Sequence, residues 1–357
     1  MLKFLGRLLL WLRSGTLNLL LLAIGLLLLW GVFAPAGTLV WWLQQEPGVL
    51  GFNQTSGVNR STHRNLTAVD PSRRDIHCYV VFLTGIGDFS ANQLTPGEEF
   101  FLGHLAQEHR NCAIVSDVFP YSVANVGLGG QRLLAPLWKF AENADGWLEN
   151  IDFLIKGRNV WRFAISVDNR YGKVYNQGIA DAIIDRMDAA YPIESDRQHP
   201  LNLILIGTSG GAQVALGSVP YLNRWLNAKI TVVSVGGVFS GTDGFSTVKH
   251  LYHLQGSQDW VEDIGRFVFP SRWPGVLASP FNQAMRQGRV TKKEIGPQSH
   301  DGDSGYFGEQ RIENSNTMYV EQTLKAVNQL PIWENERGQE SGARNQESEV
   351  RSQESGE

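Results

Sequence analysis

Short runs of apolar residues recur along the middle of the chain, and each ends in a polar or glycine-rich turn. The runs that predict strands are residues 79–83, 113–118, 201–206, 230–235, 248–254 and a weakly patterned 290–295. Most of the intervening segments carry apolar residues at helical spacing, and Thr95-Pro96-Gly97-Glu98 has the form of a capping box with proline at the first helical position. Strands that alternate with helices predict an α/β fold, a mostly parallel sheet flanked by helices.

Two segments rich in large apolar residues interrupt this alternation. Residues 131–161 have a mostly helical pattern, and residues 260–285 are rich in Trp, Phe and Pro. Residues 160–167, which begin at the end of the first segment, are interpreted as a strand or an extended packing segment. We predict that both segments are insertions that overhang the carboxyl ends of the strands, where ligands bind in parallel sheets. Ordinary helical packing on the sheet is the alternative.

The N-terminal region has the pattern of a membrane segment. Residues 19–43 contain no charged residue, which at 1.5 Å per helical residue is long enough to cross a hydrocarbon core of about 30 Å. Lys3, Arg7 and Arg13 precede the segment, so the positive-inside rule places the N-terminus in the cytoplasm and the rest outside it. We therefore predict a single-pass anchor over residues 1–45 and a linker over residues 46–76. A cleaved signal peptide is the alternative, and export follows from either.

The C-terminal residues 334–357 form a polar tail that is predicted to be disordered. The tail contains seven Glu and three Arg, and almost no apolar residue that could bury surface. Its charge of −4 equals the formal net charge of the whole chain. The remainder is therefore close to neutral and presents no basic field for nucleic acid. One large domain over residues 77–333 is left between the ends.

The most informative motif follows the apolar run 201–206. Gly207, Ser209 and Gly211 form a Gly-x-Ser-x-Gly pattern, and small residues that could open a helix come next. The glycines allow a sharp turn from strand to helix, and the turn would hold the serine at a helix N-terminus. A strand, a turn and a helix are the context in which this motif carries a serine nucleophile. An inert serine in a glycine-rich turn is the alternative.

A nucleophilic serine needs a base, and the base needs a group that orients it. Asp259 lies directly after the 248–254 strand, and His300 lies in a loop between the last strand and the final helix. Both therefore follow strand ends, downstream of Ser209. We predict Asp259 as the orienting acid and His300 as the base. Weaker candidates for the acid are Asp243 and Asp263. His250 and His253 fall within a strand and are interpreted as packed residues.

Two backbone N–H groups are candidates for binding a developing oxyanion. One belongs to Gly210, directly after the serine. The other belongs to Ile86 in the Gly85-Ile86-Gly87 loop after the first strand, where the glycines allow a close approach of the backbone. A plain glycine turn is the alternative for that loop.

Residues 78–330 resemble the α/β-hydrolase superfamily. The resemblance rests on the loop at 85–87, the elbow Gly207-Thr208-Ser209-Gly210-Gly211, and the order Ser209, Asp259, His300. It implies a serine hydrolase that works through an acyl-enzyme intermediate, without a metal or cofactor. The chain has no convincing pair of antiparallel strands before residue 79, so a reduced sheet like that of cutinase-like or small lipase-like members is expected.

The two cysteines stand just before the first two predicted strands. If those strands are neighbours in a parallel sheet, Cys78 and Cys112 lie side by side and could form a disulfide in an oxidising compartment. Two buried free thiols are the alternative.

We expect the substrate to be a small-molecule or lipid acyl ester or thioester, cleaved by an enzyme held at a membrane. Several alternatives stay open. An acyltransferase or a peptidase could use the same elbow, and a catalytically inactive ectodomain could bind a lipid or a protein. A metal site at His300-Asp301-Gly302-Asp303 is a weak alternative, because that spacing matches no standard ligand set.

Overall fold

A six-stranded sheet forms the centre of the structure. The structure, a computed structural model, describes residues 76, 78–87, 94–121, 151–193 and 200–333. The strands are β1 Cys78–Leu83, β2 Cys112–Val118, β3 Leu201–Thr208, β4 Ala228–Val235, β5 His250–Gly256 and β6 Val290–Gly296. They pair in the order β2-β1-β3-β4-β5-β6, and every pair is parallel. The α/β class, the parallel sheet and the six predicted strands are therefore confirmed.

Helices cover both faces of this sheet. They are α1 Pro96–Glu108, α2 Ile151–Val167, α3 Gly172–Ala190, α4 Gly211–Leu226, α5 Trp260–Val268, α6 Pro280–Arg286 and α7 Tyr319–Asn328, with a short 3₁₀ turn at Pro270–Arg272. The predicted capping box begins α1: the Thr95 side chain accepts from the Glu98 N–H, and the Glu98 carboxylate accepts from the Thr95 N–H. The predicted start of this helix is thus confirmed.

Alternation along β1 divides the core into two layers. Tyr79, Val81 and Leu83 face the side covered by α3 and α4, whereas Val80 and Phe82 face the side covered by α1 and α7. Successive side chains of a strand point to opposite faces, so a strand that is apolar throughout must be covered on both sides. All six side chains of β1 are buried, as this arrangement requires.

The strand order reverses at β1. The chain first moves outward from β1 to β2, then returns to place β3 on the other side of β1 and continues to β6. Such a reversal leaves a crevice at the carboxyl ends of the two strands beside it. Here those strands are β1, which leads into the 85–87 loop, and β3, which leads into Ser209.

The weak pattern of β6 has a physical reason. Among the described strands, β6 pairs with β5 alone and lies at the edge of the sheet, and much of it is exposed to solvent. Charged residues are favoured on edge strands because they discourage pairing with other chains. Lys292 and Lys293 therefore fit this position, although they obscured the strand in the sequence.

The structure corrects the interpretation of residues 160–167 and describes part of the two predicted insertions. Residues 160–167, interpreted as a strand or an extended segment, belong to helix α2. From this helix Trp161 and Ile165 pack against the core, whereas Val160 is exposed to solvent. A short apolar run cannot distinguish such a helix from a strand. The predicted insertion at 260–285 consists of α5, the 3₁₀ turn and α6. The part of the 131–161 insertion before residue 151 lies outside the described residues.

The two cysteines are joined in a disulfide. Cys78 and Cys112 are direct register partners at the starts of β1 and β2, with their Cα atoms 4.6 Å apart. The bond therefore joins these strands at the amino edge of the sheet, opposite the edge at which Ser209 lies.

No helix within the described ranges is long and apolar enough to cross a bilayer. The predicted anchor at 1–45, all of the predicted linker at 46–76 except Ile76, and the tail at 334–357 lie outside those ranges. They stay predictions.

Candidate active site

The chain turns sharply at Ser209. β3 ends at Thr208 and α4 begins at Gly211, so two residues separate a strand from a helix. Ser209 has a φ of 48°, in the left-handed region that few residues other than glycine adopt. Its backbone is held on both sides, because its N–H donates to Val235 O and its carbonyl accepts from Val238 N. Strain of this kind is tolerated where the surrounding structure fixes it, and it often accompanies function.

The glycines on either side of Ser209 are needed for this turn. A Cβ atom at Gly207 would lie 2.6 Å from the backbone of Ala212. A Cβ at Gly211 would overlap the carbonyl oxygens of Leu83 and Thr84 at the end of β1. The first glycine therefore lets the helix approach its own strand, and the second lets it approach the neighbouring one.

Ser209, His300 and Asp259 form one hydrogen-bonded chain. His300 Nε2 lies 2.9 Å from Ser209 Oγ, and His300 Nδ1 lies 2.9 Å and 3.0 Å from the two carboxylate oxygens of Asp259. These are ordinary hydrogen-bond distances. The structure thus brings together three residues that were predicted as nucleophile, base and acid, although they are up to 91 positions apart in the sequence.

Strand ends explain this convergence. Asp259 follows β5 and is the N-cap of α5, where its Oδ1 accepts from the N–H groups of Val261 and Glu262. His300 follows β6, which pairs with β5. Because parallel strands all end at the same edge of the sheet, loops after β3, β5 and β6 meet there.

Tyr306 is a member of the site that sequence reasoning missed. Its hydroxyl donates to Asp259 Oδ2 at 2.7 Å and accepts from the Gly256 N–H at 2.8 Å. The one sequence signal for this residue is its position in the same loop as His300, six residues later.

The charges of the site are set by these hydrogen bonds. Burial would raise the pKa of the Asp259 carboxyl, but the hydrogen bonds from His300 and Tyr306 and the charge of His300 lower the pKa overall. Burial would likewise lower the pKa of His300, but the hydrogen bond to Asp259 and its negative charge raise it. An ionised carboxylate only accepts, so Nδ1 of His300 carries the proton. In the neutral ring, Nε2 is then free to accept the Ser209 hydroxyl proton.

The two predicted oxyanion residues are neighbours. A Cβ atom at Gly210 would lie 2.8 Å from Ile86 Cγ1, which shows how closely the loop after β1 approaches the turn after β3. Two hydrogen bonds hold the loop in place. Buried Asn159 of α2 donates to Ile86 O at 2.8 Å, and Tyr121 donates to Thr84 O at 3.2 Å. Asn159 and Tyr121 were not predicted from sequence.

The other candidates lie elsewhere. Asp243 accepts a hydrogen bond from Gln213, and Asp263 is exposed and pairs with Arg266. His253 is buried, as its strand position indicated, whereas His250 is only half-buried and bonds Thr291. Among the described residues, no three His, Cys, Asp or Glu side chains converge as metal ligands would.

No protein-family model, curated protein or solved structure matches this chain. The site itself consists of a serine in a strained turn at a helix N-terminus, a histidine that can accept its proton, and an ionised carboxylate that orients the histidine.

Proposed function

We propose that this protein is a serine hydrolase of the α/β-hydrolase superfamily that cleaves an acyl ester or thioester. The observation that carries the proposal is the place of His300 between Ser209 Oγ and the Asp259 carboxylate. A hydrogen-bonded chain of these three groups is the arrangement by which a neutral hydroxyl becomes a nucleophile.

In this proposal the reaction begins when Ser209 Oγ attacks the acyl carbon and His300 Nε2 takes the hydroxyl proton. The negative charge that develops on the acyl oxygen is stabilised by the N–H groups of Gly210 and Ile86 and by the N-terminus of α4. Breaking the bond to the alcohol or thiol leaves an acyl-enzyme, and His300 gives its proton to the leaving group. Water then attacks the acyl carbon of the acyl-enzyme while His300 Nε2 takes a proton from it. The acid is released, and the proton returns to Ser209 Oγ.

We also propose that residues 19–43 anchor the chain in a membrane, with the domain that carries Ser209 on the extracytoplasmic side. Support comes from the uncharged apolar sequence and the preceding basic residues. Acyl substrates of lipid or small-molecule type are then within reach of the site.

A fluorophosphonate probe tests the proposal on the detergent-solubilised full chain. In a serine hydrolase, Ser209 Oγ bonds to phosphorus, fluoride leaves, and the hydroxyl proton passes to His300. We expect the wild-type chain to be labelled and Ser209→Ala not to be. Ser234→Ala is the matched control, because Ser234 also bonds a histidine but is fully buried.

The outcomes separate the alternatives. Absence of labelling in the wild-type chain would refute the hydrolase proposal and favour an inactive binding ectodomain. A labelled chain that transfers acyl groups to added alcohols faster than to water would be an acyltransferase. Esters of graded acyl length would then show which chain length the site accepts.

A further inference from the structure

Helix α5 is turned with its apolar side outward. Trp260, Ile264, Phe267 and Val268 recur at helical spacing and form one face, and all four are exposed. The residues of α5 that are buried are Glu262 and Gly265. An ordinary surface helix has the opposite orientation, with apolar residues toward the core and charges toward water.

The orientation of α5 is set by interactions beneath it. Glu262 is fully buried, accepts from Arg272 in a close ion pair, and lies 3.0 Å from His253 Nε2. Arg272 also lies over the ring of Phe239, with its guanidinium carbon 4.1 Å from the ring centroid. Turning the helix over would break this ion pair and leave a buried charge unpaired, so the outward apolar face is a fixed feature.

The outward face of α5 continues into a larger surface, which we call the 260–285 surface. Its exposed apolar side chains are Trp260, Ile264, Phe267, Val268, Trp273, Val276, Leu277 and Met285. Phe267 is 78% exposed, Leu277 65% and Trp260 64%. In the part of the chain that the structure describes, only Val160 and Trp225 are the other large apolar residues exposed to this degree. An apolar surface of this kind marks a site of interaction.

The chemistry of the surface indicates its partner. Beside the apolar residues lie the basic side chains of Arg266, Arg286 and Lys292, against the single exposed acid Asp263. Aromatic and aliphatic side chains next to basic ones are typical of helices that lie in the interface of an anionic bilayer. A cleft of about 610 Å³ is lined by residues of both kinds, among them Phe267, Trp273, Leu277, Arg266 and Arg286.

The sequence places a bilayer within reach. The uncharged run 19–43 is predicted to enter a membrane, and about thirty residues separate it from β1. Among the faces that the structure describes, the 260–285 surface is the one whose exposed apolar and basic side chains suit lipid.

We propose that the 260–285 surface docks on an anionic phospholipid bilayer, with the apolar face of α5 in the headgroup region. Docking would hold the edge of the sheet that carries Ser209 at the lipid, because Trp260 directly follows Asp259. The proposal rests on the proposed membrane anchor but not on the proposed hydrolase activity, since a chain without catalysis can dock equally well.

A fluorescent probe at one residue tests docking on the full chain. The native cysteines are bonded to each other, so a thiol introduced by Phe267→Cys is the one that reacts with an environment-sensitive dye. Trp225→Cys is the matched control, because Trp225 is also an exposed aromatic but lies near the far end of α4, at the opposite edge of the sheet. Both variants carry Ser209→Ala, so the outcome is independent of the proposed activity.

The labelled chains are reconstituted in vesicles of phosphatidylcholine with phosphatidylglycerol and a nitroxide-bearing lipid. We expect the dye at 267 to shift to the blue and to be quenched by the nitroxide, and the dye at 225 to remain as in water. Each of the changes Arg266→Gln and Arg286→Gln should lower the ratio of docked to undocked chain about five-fold, the effect of one basic residue near an anionic surface.

Equal quenching at 267 and 225 would overturn the proposal. So would equal docking on vesicles of phosphatidylcholine alone, because the basic residues would then have no role. A dye at 267 that is shielded without lipid, in proportion to protein concentration, would show that a second copy of the chain covers the surface instead.

Discussion

The described part of the molecule contains two hydrogen-bonded chains of serine, histidine and an acidic residue, and they differ in almost everything except the functional groups that they join. In the first, His300 joins Ser209 to Asp259. In the second, His253 joins Ser234 to Glu262, with 3.0 Å from Ser234 Oγ to Nδ1 and 3.0 Å from Nε2 to Glu262 Oε1. We call them the rim chain and the buried chain. Comparing them shows which features a candidate site needs beyond its residue types.

Access and backbone differ first. The side chain of His300 is 8% exposed and that of His253 is 1% exposed. Ser209 lies in the left-handed turn at the start of α4, whereas Ser234 is a buried residue of β4 in the middle of the sheet. A substrate carbonyl can reach a hydroxyl at the rim of the sheet but not one inside it. The buried chain is therefore part of the core.

The electrostatics differ next. Burial lowers the pKa of His253, and the positive charge of Arg272 lowers it further. Burial would raise the pKa of Glu262, but the hydrogen bond from His253 and the ion pair with Arg272 bring it down to about 2. Arg272 thus offsets the charge of the acid in the buried chain. Among the described residues, no Lys or Arg pairs with Asp259, whose carboxylate bonds His300 and Tyr306 instead. Similar functional groups therefore form an accessible hydrogen-bonded chain in one place and a buried, ion-paired one in the other.

The largest expected effect comes from the acid of the rim chain. In Asp259→Asn the amide can donate to Nδ1, which favours the wrong tautomer of His300. We expect the rate of fluorophosphonate labelling to fall about 10⁴-fold, as when the tautomer is lost in other triads. Asn is also a good N-cap, so α5 should keep its start. Near-normal labelling of a folded Asp259→Asn chain would remove Asp259 from the proposed mechanism.

A substitution in the buried chain should change the stability of the protein rather than its labelling. Glu262→Gln leaves the buried guanidinium of Arg272 without a counter-charge, and we expect the free energy of unfolding to fall by about 3–5 kcal/mol. Urea denaturation measures this. Asp263→Asn, the next residue and exposed, is the control and should change the free energy by less than about 0.5 kcal/mol. Equal effects of the two changes would show that the ion pair contributes nothing.

The pH dependence of labelling tests whether the protonation of His300 controls the rate. Asp259 raises the pKa of His300, so the protonated ring should remain inactive to a pH above the ordinary value of about 6.5. Labelling should therefore increase with pH through a midpoint above that value. In Asp259→Asn the negative charge is absent, and the midpoint of the residual rate should move to lower pH. A midpoint that does not move would mean that another group controls the rate.

The smallest effect is expected at Tyr306. In Tyr306→Phe one hydrogen bond to Asp259 is lost and the Gly256 N–H has no acceptor, so the free energy of unfolding should fall by about 1–3 kcal/mol. Tyr319→Phe is a suitable control, because its hydroxyl bonds to no residue that the structure describes. A labelling rate that falls about ten-fold in Tyr306→Phe alone would show that the tyrosine also positions the carboxylate, since a small misplacement of catalytic groups is costly.

Much of this arrangement could be predicted from the sequence, for a physical reason in each case. Continuous apolar runs must be buried on two faces, so they predicted a parallel sheet covered by helices. Gly207 and Gly211 predicted a sharp turn around Ser209, because a side chain at either position would clash in such a turn. Asp259 and His300 were found because parallel strands bring their carboxyl ends together. Cys78 and Cys112 were expected side by side only if β1 and β2 are neighbours, and the pairing of these strands meets that condition.

Contacts between distant residues could not be predicted in this way. Tyr306 bonds Asp259, and Arg272 bonds Glu262, only because particular loops pack against each other, and no local pattern records that. The segment 160–167 shows the same limit, since its apolar residues suit a strand or a helix equally.

Helix α5 shows both what the sequence alone determines and what depends on the tertiary structure. Its residue spacing determines that an amphipathic helix forms, with Trp260, Ile264 and Phe267 on one side and Glu262 on the other. The spacing does not determine which side faces the core. That was decided by the tertiary structure, where the ion pair of Glu262 with Arg272 and His253 draws the charged side inward and leaves the apolar side exposed.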